Sequence, residues 1–88
     1  MKLIIAIIRD VDNDKVSRAL TAESFRVTYV ASTGGFLRRG QSTLMIGVED
    51  ELLEKAMEII RQNVSQATES DPRHSIIFVL NVDQYTHY

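Results

Sequence analysis

Apolar and polar positions alternate between two periods along this chain, and the switches mark its elements. Lys2 to Arg9 opens the sequence with an unbroken apolar run, Leu3 to Ile8, rich in β-branched residues. Such a run predicts a strand buried on both faces, and so a central place in its sheet. Asp10 to Asp14 is a polar break. From Lys15 to Glu23, Val16, Ala19 and Leu20 recur at helical spacing, with Lys15, Arg18 and Thr21 turned outward. Arg26 to Ser32 then alternates with period two. Val27, Tyr29 and Ala31 fall on one face, and Arg26, Thr28 and Val30 on the other. Ser42 to Val48 reads as the next strand, with Gly47 inside it. A strand glycine marks a bulge, a close approach by ligand or backbone, or plain crowding.

A second helix opens at Glu49 and Asp50, where acids suit the dipole. Leu52, Leu53, Ala56, Ile59 and Ile60 form its apolar stripe, and Glu51, Glu54, Lys55, Glu58 and Arg61 its solvated side. Gln62 to His74 is polar, holds Pro72, and reads as a loop. Ser75 to Val82 reads as a last buried strand. The tail, Asp83 to Tyr88, carries two tyrosines and a histidine, which suggests an end tied down by packing.

The order β-α-β-β-α-β predicts a ferredoxin-like α+β fold, with a four-stranded antiparallel sheet and both helices on one face. The other sheet face is then bare. Val30, Ile46 and the two buried runs make it apolar, so a homo-oligomer is expected to cover it.

Length and composition narrow this further. At 88 residues the chain forms one domain, 1–88, and buries only roughly 60% of its unfolded surface. Its core is thin, another reason for subunits to share one. A net charge of −2 gives no global attraction for nucleic acid polymers or anionic membranes. The run Leu3–Ile8 is too short to span a bilayer, and a cytoplasmic location is expected. There is no cysteine, which excludes disulfides, thiolate metal sites and thiol nucleophiles.

The richest segment chemically is Thr33-Gly34-Gly35-Phe36-Leu37-Arg38-Arg39-Gly40. Ordinary connectors are polar, whereas this one carries two bulky apolar residues. Adjacent glycines let backbone N–H groups approach a ligand. Phe36 offers a stacking surface for a base, and the arginines offer fork-shaped donors to phosphate. The loop therefore reads as a nucleotide-type binding element. The alternative is a hairpin turn whose Phe36 and Leu37 pack on a neighbouring subunit.

Catalytic candidates are scarce. His74 and His87 have no metal-ligand spacing, and surface or packing roles suit them better. Asp10, Asp12 and Asp14 alternate as in a calcium loop. The required glycine and distal glutamate are missing, and the three read as helix-capping acids. No base is placed to activate a serine or threonine. No P-loop or dinucleotide fingerprint is present. A non-enzymatic protein without metal or cofactor is expected.

Several stretches resemble the PII-like cyclic di-AMP receptor proteins. They are Met1 to Ile8, Phe25-Arg26-Val27-Thr28, Ala31 to Arg38, Gly40-Gln41-Ser42-Thr43 and Gly47-Val48. The likeness runs over about 1–61 and resumes at about 77, through Val82-Asp83 and the aromatic tail. It implies a ferredoxin-like homotrimer with a nucleotide site at each subunit interface. Positions matching Arg26, Thr28, Gly35, Phe36, Leu37 and Gly47 line that site, and Arg38 is placed to face phosphates or a second base. Departures from the pattern fall at Ser24 and Gln41, where asparagine is usual, and at His87, where glutamine is. Gln41 keeps the amide one methylene further out, and His87 keeps donor and acceptor capacity in another shape. The segment 62–74 is much shorter than in the family.

The resulting expectation is a PII-like, signal-receiving homotrimer binding cyclic di-AMP or a related adenine nucleotide, passing its signal to an unidentified protein. Two alternatives stand beside it. One is a paralogue that binds a mononucleotide or small anion. The other is a ligand-free interaction protein that docks a partner through Phe36-Leu37.

Overall fold

The computed structural model describes residues 1–32, 40–65 and 75–83. Its elements are β1 (Lys2–Arg9), α1 (Asn13–Ala22), β2 (Val27–Ser32), β3 (Gln41–Val48), α2 (Leu53–Asn63) and β4 (Ile76–Asn81). Short 3-10 turns, Asp10–Asp12 and Asp50–Leu52, lead into the two helices. The strands form one sheet of order β2-β3-β1-β4, and every neighbouring pair is antiparallel. This is the ferredoxin-like α+β arrangement. Among the described residues no helix is long and apolar enough to cross a membrane.

The register explains the core. Ile4 lies opposite Ile46, and Ala6 opposite Leu44. Residues directly opposite share a sheet face, so the even positions of β1 and β3 converge. They are covered by Val16 and Leu20 of α1 and by Ala56 and Ile60 of α2, all without exposed surface. Each buried Val, Leu or Ile side chain here stabilises the fold by about 1.5–3 kcal/mol, and each alanine by less. The two helices lie side by side over this face.

The odd positions of β1 have no such cover. Leu3, Ile5 and Ile7 are only half-buried, although β1 is central as its composition predicts. Phe78 and Leu80, opposite Ile5 and Leu3, stand half exposed. The face is apolar and, among the described residues, has no element packed over it. Its membership differs from expectation at one position. Ile46 belongs to the helix-side core, and Met45 takes its place on the uncovered face, because pairing with Ile4 sets the parity of β3.

β4 departs from expectation as well. It is an edge strand, and all but Ile77 of its residues are exposed. Its apolar run reflects the uncovered face rather than burial on both sides. In β2 the expected strict alternation is interrupted by a register shift between Tyr29 and Ala31. A bulge of this kind adds a residue to one strand and breaks its period. α2 runs on through Gln62 and Asn63, two residues expected in the loop, while Leu52 sits exposed on the turn before it.

Asp12, at the N-cap of α1, makes no side-chain cap hydrogen bond. Asp10 and Asp12 are buried. Asp10 accepts a hydrogen bond from the Ser42 hydroxyl, and its backbone N–H donates to the Gly40 carbonyl at 3.0 Å. Asp12 accepts from the backbone N–H and hydroxyl of Ser65, at 3.0 and 2.6 Å. These carboxylates tie the roots of two later segments to the start of α1. Sequence spacing could not reveal partners so far away along the chain.

α1 ends in a left-handed residue. Ser24 has φ 69°. The Phe25 N–H bonds to the Leu20 carbonyl, and the Ser24 N–H to that of Thr21. Phe25 and Leu20 are both in the core, which completes a Schellman motif with Ser24 at its left-handed position.

Candidate functional site

The site begins with how Arg26 is turned. Phe25 on one side is buried, and Val27 on the other packs against the helix-side core. The intervening side chain must leave on the opposite, uncovered face. Arg26 is exposed there and has no ion-pair partner among the described residues. Thr28, two residues on, shares that face and lies opposite Met45. Gly47, two residues beyond Met45, lies opposite Leu3 of β1.

These positions surround a cavity of about 450 Å³. Arg26, Thr28 and Gly47 line it, so three positions implied by the resemblance come together. Met1, Leu3, Met45 and Val82 supply its apolar wall, and Lys2 also contributes. Sequence reading did not single out these five. The period-two signal was available for Met45, because it shares parity with Gly47. Met1, Leu3 and Val82 needed the register between β1, β3 and β4.

Among the described residues no carboxylate lines the cavity, and the charged residues that do are Arg26 and Lys2. Lys2 has the parity of Ile4, toward the helices, and its amino group donates to the Asn81 side chain. That leaves Arg26 as the cation that, among the described residues, stands on the uncovered face of the cavity. Beside the cavity, the amino group of Met1 lies 3.0 Å from the Asp50 carboxylate. This hydrogen bond is the main reason the Asp50 carboxyl titrates below its ordinary range. The charges of the amino group and Lys2 add to it, and partial desolvation opposes them. The Met1 carbonyl also accepts from the Val82 N–H at 3.0 Å, so Met1 is held at both ends of its backbone.

Gly47 is not there because the sheet is crowded. Among the described residues, a Cβ built on it would meet one atom, Cε of Met1, at 2.9 Å, at a position that lines the cavity. The glycine keeps this end of the cavity open.

Gln41 sits elsewhere. It begins β3 opposite Arg9, six residues from Gly47, or about 20 Å along a strand, and does not line the cavity. Gly35, Phe36, Leu37, Arg38 and His87 lie outside the described residues, as do His74 and most of the 62–74 segment.

A family model described as cyclic-di-AMP receptor matches residues 1–75. The chain belongs to the cyclic-di-AMP receptor family. Among solved structures, this family member is similar to the crystal structure of a functionally unknown protein from Pediococcus pentosaceus ATCC 25745. The two share 33% sequence identity at a TM-score of 0.78, over 99% of this chain and 96% of that one.

Proposed function

We propose that this protein is a non-enzymatic, PII-like signal receiver that binds cyclic di-AMP or a related adenine nucleotide between subunits of a homotrimer. The observation that carries the reading is the cavity joining Arg26, Thr28 and Gly47 on the uncovered sheet face. It combines an arginine, a hydroxyl and a backbone approach with an apolar wall and, among the described residues, no carboxylate, a set suited to phosphate and base together. Membership of a family described as cyclic-di-AMP receptors supports the ligand class.

A subunit interface suits this site physically. Its walls belong to the face that exposes Phe78 and Leu80, and a second copy packed there would close the cavity while covering apolar surface. The remaining implied ligands, Gly35, Phe36, Leu37, Arg38, Gln41 and His87, then act from the glycine loop, the far end of β3 and the tail. Gln41 is too far from Gly47 to serve the same cavity within one chain, and it takes part only if a neighbour brings it there. Binding transfers the signal to a downstream protein by changing the surface around the site.

Titration calorimetry against cyclic di-AMP, ATP, AMP and inorganic phosphate tests the reading. Saturable binding of cyclic di-AMP at one site per chain, lost in Arg26→Ala, supports it. Binding of phosphate or AMP with no preference for cyclic di-AMP moves the protein to the mononucleotide or small-anion reading. The absence of binding by the whole set leaves a partner-docking role for Phe36-Leu37.

A further inference from the structure

The cavity is not symmetric across the sheet. Its arginine and hydroxyl come from the β2 side, whereas Met1, Leu3 and Val82 stand on the β1 and β4 side, with Met45 between. Two strand spacings separate β2 from β1, about 10 Å. A ligand that carries an anionic group beside an apolar ring is oriented by this asymmetry. Of the protein's three methionines, two line this single cavity, and Met57 lies on the other side of the sheet against the helix-side core.

We propose that Met1 and Met45 form the wall that receives one adenine ring, with an adjoining phosphate of the nucleotide directed to Arg26 and Thr28. This deepens the adenine-nucleotide reading and rests on it. Thioethers are polarizable and flexible, and they favour contact with aromatic rings. The Met1 side chain is free to adapt while its backbone is fixed, through the Val82 N–H and the Asp50 carboxylate. Its methyl group occupies the space beside the missing Cβ of Gly47. Gly47 therefore serves the methionine wall as well as backbone access, because a side chain there would push Met1 across the cavity.

The test is a titration of the whole chain, labelled with 13C at its methionine methyl groups, with cyclic di-AMP. Calorimetry is run on the same sample. Resonances are assigned from Met45→Leu and Met57→Leu. Ring-current shifts of Met1 and Met45, with Met57 unmoved, are expected. Met45→Leu keeps the volume but removes the sulfur, and a loss of about two- to tenfold in affinity is expected. Calorimetric binding with Met1 and Met45 unmoved, or with Met57 shifted equally, overturns the wall while leaving the nucleotide reading intact. If calorimetry finds no binding by any adenine nucleotide, both fall together.

Discussion

Asp12 holds Ser65 by both carboxylate oxygens, one to the backbone N–H at 3.0 Å and one to the hydroxyl at 2.6 Å. The two residues are 53 apart in sequence, and the contact joins the start of α1 to the chain just past α2. Asp12 is buried, so the energetic weight lies in leaving no donor unmet.

Removing this clamp should destabilise the domain without touching the cavity. Asp12→Ala is expected to cost about 1–3 kcal/mol in urea unfolding, because it strands the Ser65 N–H and vacates a buried position. Ser65→Ala should cost less, about 0.5–1.5 kcal/mol, since only the hydroxyl is lost. Nucleotide affinity of the folded variants should stay at the wild-type value. A shift of affinity comparable to that of Arg26→Ala would show that the clamp acts on the site.

Ser24 is a place where stability can be gained. A non-glycine residue in the left-handed region is strained by about 1–2 kcal/mol, and asparagine tolerates it better than serine. Ser24→Gly is expected to raise stability by about 0.5–1 kcal/mol, after its greater unfolded-state freedom is deducted. Ser24→Asn should fall between glycine and serine. The asparagine expected from the family resemblance thus has a backbone reason, beyond any contact with a ligand. Thermal melting of the three forms decides the order, and a melting point that falls with glycine would contradict the Schellman assignment.

Arg26→Ala should separate binding from folding. The side chain is exposed and has no ion-pair partner among the described residues, so stability should change by no more than about 0.5 kcal/mol. A charge-assisted contact to phosphate or base is worth about 1.5–3 kcal/mol, which corresponds to a loss of roughly ten- to a hundredfold in affinity. Calorimetry on the folded variant that returned the wild-type constant would remove Arg26 from the site.

Gly47→Ala is expected to fold normally, because the new methyl meets only the flexible end of Met1. It narrows the cavity, and affinity for cyclic di-AMP should fall about tenfold, near 1.4 kcal/mol. Gly47→Val should abolish measurable binding. Undiminished binding by the valine variant would show that the ligand lies elsewhere.

The uncovered sheet face should drive assembly. Light scattering is expected to give about 30 kDa, three times the 10.0 kDa chain. Phe78 is 51% exposed on that face opposite Ile5. Phe78→Asp should return a folded species at the chain mass, checked by its circular dichroism. A wild-type protein that is monomeric at micromolar concentration would rule the trimer out.

Local patterns along the chain were enough for the element order and the fold class. Period two in β2 and β3 and helical spacing in α1 and α2 arise from side-chain geometry within each segment, and so appear in sequence. Arg26, Thr28 and Gly47 were named as site positions by the family resemblance, and strand periodicity added only that Arg26 and Thr28 share a face. The rest depends on contacts between distant segments. Pairing of Ile4 with Ile46 decided which residues of β3 entered the core and which, such as Met45, faced the cavity. The edge position of β4 turned an apparently buried run into an exposed surface. Asp10 and Asp12 acquired their partners only when Ser42 and Ser65 arrived from far along the chain. Met1 became part of a site because β1 lies between β3 and β4, which brings the end of one strand beside Gly47 and Val82. Composition and spacing carry no information about such register, because a shift of one residue exchanges every inward and outward side chain while leaving the sequence pattern unchanged.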